Sequence, residues 1–196
     1  MTMKRRSFLS ILLLAGLIPL LTSCGYNRLV SMQEAIPAQW AQVENAYQRR
    51  ADLIPNLVAT VKGYADFEKE TLTGVIEARA KATSVTVDPS NLDAASIQQF
   101  QAAQDGLSSA LSRLMVVVER YPELKANQNF LDLQAQLEGT ENRIAVERRK
   151  FNEVTRQYNT YRRTFPVLIT AAIFGFDEKG YFEAAEGTEK PPTVEF

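Results

Sequence analysis

The chain has 196 residues, 45% of them hydrophobic, and a formal net charge of −1; this suits one domain with a sizeable core and offers no clustered basic face for nucleic acid. It contains no histidine and a single cysteine. That excludes Ser-His and Cys-His catalysis, histidine-bearing metal sites and an internal disulfide, and leaves carboxylates, Lys, Tyr, Ser and Thr for any chemistry.

Residues 1–23 read as a lipoprotein signal peptide. Lys4, Arg5 and Arg6 precede an apolar run from Phe8 to Leu21. Fourteen residues are too few to cross a bilayer of about 30 Å, which takes about 20, and the layout fits a cleaved leader. The run ends in Leu21-Thr22-Ser23-Cys24, which resembles a bacterial lipobox, and the only cysteine falls where acylation requires one. A lipidated Cys24 makes the membrane itself a partner, each buried CH₂ of its acyl chains contributing about 0.8 kcal/mol. Gly25 rather than Asp follows it, so the predicted location is the cell envelope, facing the periplasm or exterior, with the outer membrane compatible. Arg5-Arg6-Ser7-Phe8-Leu9 also resembles a twin-arginine export motif and leaves the export route open. Removing residues 1–23 takes away three bases and no acids, leaving 19 bases against 23 acids, a net of −4.

The rest predicts four long helices. In the first, Leu29, Met32, Ile36, Trp40, Val43, Ala46 and Tyr47 recur at helical spacing between Asn27 and Arg50, with Pro37 as a kink or first-turn residue. A second is expected to start near Asp52 as N-cap, with Pro55 in its first turn, and to run through Leu57, Val61, Leu72, Ile76 and Ala80 with an interruption at Gly63. The stretch Val85–Asp93 has turn chemistry. Helix three follows, with Ile97, Phe100, Leu107, Leu111, Leu114, Val118 and Tyr121 as its stripe, and Pro122 ends it. In helix four, Phe130, Leu133, Leu137, Thr140, Ile144, Glu147, Phe151, Val154, Tyr158, Tyr161 and Phe165 alternate spacings of 3 and 4 up to Pro166. That heptad seam extends about 50 Å, too long for a compact globule, so the predicted fold is all-α: an elongated antiparallel helical bundle. Residues 24–176 would form this domain. Val167–Phe176 is an apolar stub that packs as core or touches membrane, and 177–196 is a Gly-, Glu- and Pro-rich tail predicted to be extended or disordered.

Several segments resemble the LemA family: Gln48-Arg-Arg-Ala-Asp-Leu-Ile-Pro-Asn-Leu57, Val61-Lys-Gly-Tyr64 and Glu77-Ala-Arg79, then Tyr121-Pro-Glu-Leu-Lys-Ala-Asn127 with Phe130, Leu137-Glu-Gly-Thr-Glu-Asn-Arg-Ile144, Tyr158-Asn159 and Phe174-Gly-Phe176. The resemblance runs in order from about Tyr26 to Phe182. It implies an elongated helical bundle held at the membrane and facing away from the cytoplasm, with relatives often encoded beside membrane proteases. Family members typically carry a transmembrane anchor where this chain has a lipobox. The resemblance brings no catalytic residues.

Polar residues at seam positions are the remaining candidates. Glu138, Glu141 and Glu147 could suggest a metal or a glycan-cleaving pair, but a di-iron bundle uses Glu-x-x-His, and acids flanked by Arg143, Arg148 and Arg149 more simply form ion pairs. Thr140, Glu147 and Arg143 are therefore read as a polar layer that fixes register, with Arg49, Arg50 or Arg79 as partners of Glu147. Arg49, Arg50 and Asp52 could alternatively form a partner surface. The predicted function is a non-enzymatic, lipid-anchored scaffold or adaptor for unidentified envelope or membrane proteins, needing no cofactor and no metal and not binding nucleic acid, with homo-oligomers open. The alternatives are a carboxylate-based hydrolase of envelope polymer, or a self-assembling membrane-shaping protein.

Overall fold

The computed structural model describes residues 2–63 and 68–183, with side chains from Gly25 onward. The described residues are all-helical, without strands. The elements are α1 (Thr2–Lys62), α2 (Lys69–Ser84), α3 (Ala94–Val118), a single turn α4 (Pro122–Lys125), α5 (Gln128–Arg162) and α6 (Val167–Phe174). Helices α1 and α5 run antiparallel, since Arg28 lies over the Tyr161 ring, Trp40 meets Phe151 and Arg50 meets Glu141. Helix α2 returns antiparallel to α1 and α3, with Arg79 reaching Ala51 and Gln104 reaching Ala82. The result is an up-down-up-down bundle; α5 alone, at 35 residues, is about 52 Å long.

The main departure from the sequence reading is α1. It does not stop before Asp52; it continues through Pro37 and Pro55 to Lys62. Asp52 is consequently no cap: it is exposed in mid-helix and accepts a hydrogen bond from Gln48 Nε2 at 2.7 Å. A proline inside a helix removes the N–H that would bind the carbonyl four residues back. For Pro55 that carbonyl belongs to Ala51, which is buried, and Arg79 Nε of α2 donates to it at 2.8 Å. The buried stripe Val43, Ala46, Tyr47, Ala51, Ile54, Leu57, Val58 and Val61 keeps its helical spacing across the proline, so packing favours continuity. The expected result is that Arg79→Met lowers stability by about 1–2 kcal/mol. In a Pro55→Ala background the loss should be much smaller, because residue 55 again supplies an N–H; equal losses in urea melts of the two backgrounds would refute the assignment.

Elsewhere the element ends follow local chemistry. Asp93 caps α3 by accepting from the Ser96 N–H at 2.7 Å, and Asn127 caps α5 from the Phe130 N–H at 3.1 Å. Gly175, at φ +70°, closes α6 in the left-handed conformation that favours glycine. Pro122 does not end α3 directly; it opens α4 at a first-turn position. In α2 the buried residues are Leu72, Val75 and Ala82, while Ile76 and Ala80, placed on its inner face by the sequence reading, are exposed.

Residues 177–183 are extended and packed on the bundle, so the domain boundary drawn at 176 falls inside the packed unit, which continues at least to Glu183. Residues 184–196 lie outside the described residues, as do the side chains of the predicted signal peptide and Cys24.

Candidate functional site

Two apolar cores are stacked along the bundle axis. One holds Ile54, Leu57, Val61, Leu107, Leu114, Phe130 and Leu137; the other holds Leu29, Ile36, Trp40, Phe100, Ile144, Phe151 and Tyr158. Between them sits the side chain of Arg50, 1% exposed. Its Nη1 donates to Glu141 Oε1 at 2.6 Å and Ser108 Oγ at 2.7 Å. Its Nη2 donates to Gln104 Oε1 at 2.8 Å and to the Gln104 carbonyl at 3.1 Å, and the guanidinium lies over the Tyr47 ring at 5.2 Å. The amide of Gln104 passes the chain of hydrogen bonds on to the Ala82 carbonyl at 3.1 Å. One buried cation therefore ties together α1, α2, α3 and α5. Burial pushes the Tyr47 hydroxyl above its ordinary range, an effect that the nearby Arg148 and Arg50 oppose.

This corrects the sequence reading of Arg50 as part of a partner surface: it is a core residue, whereas Arg49 and Asp52 beside it are exposed. Of the expected polar layer, Thr140 and Glu147 are buried and Arg143 is exposed. Thr140 donates to the Gln136 carbonyl of its own helix at 2.8 Å. Glu147 is answered by none of the three arginines proposed for it. It accepts from Gln39 Nε2 at 2.9 Å and Lys150 Nζ at 3.2 Å. The hydrogen bond from Gln39 chiefly holds its carboxyl below the usual range; burial opposes this, and Lys150 adds to it. Because the folded pKa is the lower one, this contribution is present above the unfolded carboxylate range and is lost as pH falls through the folded value.

The three glutamates do not converge. Glu138 accepts from Gln134 at 3.0 Å, Glu141 from Arg50 and Glu147 from Gln39. Among the described residues no group of three or more His, Cys, Asp or Glu is arranged to hold a metal ion. Gln104 and Ser108 were missed by sequence reasoning, although Ile97, Phe100, Gln104, Leu107 and Leu111 alternate spacings of 3 and 4, which puts a polar residue in the seam of α3.

The other end of the bundle, nearest Cys24 in sequence, is closed by α6 and the extended strap. Val167, Thr170 and Ala171 of α6 are buried; Val167 packs so closely on Gly25 that a Cβ there would come within 3.3 Å of its methyl. Tyr26 meets Phe174 and Phe176 edge-on, with ring centroids 4.9 and 5.6 Å apart. The strap is held by side-chain amides that read its backbone. Asn159 donates to the Lys179 carbonyl at 2.8 Å and accepts from its N–H at 3.1 Å. Asn152, one heptad earlier, does the same to Phe182, each bond at 2.9 Å. Phe182 stacks on Trp40 at 5.7 Å and lies under Arg148 at 4.8 Å. Gly180 is needed for this fit, since a Cβ would lie 2.7 Å from the Ala94 backbone. None of the helices within the described residues is long and apolar enough to cross a membrane.

Comparison with known proteins places this architecture. The family model of the LemA family matches residues 39–196. The chain is 27% identical over 185 residues to magnetosome protein MamQ of Magnetospirillum gryphiswaldense, covering 85% of this chain and 67% of the relative. It is 26% identical to MamQ 1 of Paramagnetospirillum magneticum with the same coverage. It is 25% identical over 160 residues to protein LemA of Metamycoplasma hominis, covering 82% of this chain and 69% of the relative.

Proposed function

We propose, from the premise that the chain belongs to the LemA family, that it is a lipid-anchored, non-enzymatic scaffold or adaptor standing on an envelope membrane. The observation that carries this reading is the continuity of α1. The helix passes from the lone cysteine at residue 24 into the bundle without a break and ends at Lys62, which makes about 57 Å of rigid rod from Gly25 onward. Such a rod tied at its foot presents long helical faces to other envelope proteins, membrane proteases among them. The buried polar groups also favour a structural role. Arg50 and Gln104 are bound to each other across helices, Glu147 is bound by Gln39 of α1, and the acidic side chains are turned to separate partners.

Cys24→Ser tests the anchor. The variant should leave the membrane fraction or accumulate as unprocessed precursor, and should lose incorporation of labelled palmitate; unchanged anchoring and labelling would reject the lipobox. In-cell crosslinking tests the adaptor role: envelope proteins should be captured by the anchored chain and not by Cys24→Ser. Purified protein that cleaves envelope polymer, with activity abolished by Glu138→Gln or Glu141→Gln at unchanged stability, would overturn the non-enzymatic reading.

A further inference from the structure

We infer that α6 is a second membrane contact: its outer face inserts at headgroup depth into the same bilayer that holds Cys24, and so fixes the tilt of the rod. The inference rests on the anchoring just proposed. Helix α6 buries only Val167, Thr170 and Ala171. The rest of its surface is apolar and open: Leu168 and Ile169 are 45% and 46% exposed, Ile173 71% and Phe174 61%, and Phe165 just before the helix is 80% exposed. Monomeric proteins seldom leave so many large apolar side chains together in water.

The position of this face identifies what covers it. Val167 packs on Gly25, the residue after Cys24, and Phe174 touches Tyr26, two residues after it. Along a helix these residues lie within about 3 Å of the cysteine in axial rise. An acylated sulfur holds that level of the molecule at the acyl–headgroup boundary, which is where the apolar face of an interfacial helix lies, about 5–10 Å deep. Exposed Arg28 lies over the Tyr161 ring and exposed Arg163 stands two residues before Phe165, and basic residues near a bilayer surface are attracted by anionic headgroups. The other exposed large aliphatic residues stand far from it. Ile76, for example, lies beyond the Arg79–Ala51 contact, and Ala51 is 27 residues up α1 from Cys24, about 40 Å away. The patch is confined to the foot of the rod.

Acylation at Cys24 consumes the chain's only thiol, so an introduced cysteine can be labelled alone. Full-length lipidated Ile173→Cys and Ile76→Cys would carry a polarity-sensitive fluorophore in vesicles of phosphatidylethanolamine and phosphatidylglycerol, with brominated lipid as quencher. The expected result is blue-shifted emission from position 173 that loses most of its intensity to brominated lipid, and water-like, unquenched emission from position 76. Vesicle-bound protein with water-like emission at 173 overturns the α6 contact and leaves the anchor standing. Blue-shifted but unquenched emission at 173 also overturns it, because a second copy of the chain then covers the face. Protein that does not float with the vesicles overturns the anchor and the α6 contact together.

Discussion

Arg50→Ala should lower the stability of the bundle by about 3–5 kcal/mol, the range found when one partner of a buried charged network is removed. The substitution deletes the side chain that Ser108, Gln104 and Glu141 all face, and it opens a cavity between the two cores. Glu141 can turn to water, since its side chain is about half exposed. Gln104 Oε1 cannot, because Gln104 is buried. Arg50→Lys should recover little: an ammonium keeps the charge but not the planar fork that reaches Glu141 and Gln104 at once. Arg50→Met is the discriminating variant. If the guanidinium contributes net stability, Met is nearly as damaging as Ala. If it acts mainly to select the arrangement of helices, Met fills the volume and stability returns to within about 1 kcal/mol of the parent. Guanidinium melts of the three variants separate these cases, and a loss below about 1 kcal/mol for Arg50→Ala would show that the layer does not hold the bundle.

The seams of α3 and α5 were legible because burial imposes a period that composition displays directly. From Phe130 to Phe151 the predicted stripe and the buried stripe coincide. Beyond Phe151 they part: Tyr158 is buried as expected, but Thr155 and Asn159, outside the predicted stripe, are buried too, whereas Val154 and Tyr161 are half-buried and Phe165 is exposed. A straight helix at 3.6 residues per turn drifts away from a 3.5-residue repeat, and α6 and the strap, not a fourth long helix, cover this end. The continuity of α1 was not legible, because the donor that replaces the missing N–H of Pro55 comes from Arg79, on a different helix. The strap was hidden for a related reason. Its backbone bonds go to Asn152 and Asn159, polar residues that local composition assigns to a solvated face. Arg50 is the sharpest case: adjacent to Arg49 and Asp52 it looks like surface charge, and only the seam spacing through Val43, Tyr47, Ile54 and Leu57 points inward.

Ile144→Asp should be the most damaging single change in α5, with an expected loss of about 4–5 kcal/mol near neutral pH. Ile144 is buried in the core that also holds Trp40, Phe100 and Phe151, one heptad from Leu137 and three residues before Glu147, whose carboxyl is already satisfied by Gln39 and Lys150. A carboxylate at 144 would sit among aromatic and aliphatic groups, with the cations of this region already engaged: Arg50 by Glu141, Lys150 by Glu147 and Arg148 by the Glu183 carbonyl. The protein's response would be to keep the new carboxyl protonated, raising its folded pKa above the unfolded value of about 3.9. The sign follows from that shift. Below the unfolded value both states hold the proton and the deficit is only that of burying a neutral acid; the deficit grows as pH rises from there to the folded value. The gap between parent and variant should therefore narrow from pH 7 to about pH 4, while Ile144→Asn, similar in shape and uncharged, should show a deficit that hardly changes with pH. Val146→Asp, on the exposed side of the same turn, should shift stability by no more than about 0.5 kcal/mol. Matching losses at 144 and 146 would mean that the α5 seam does not face the core.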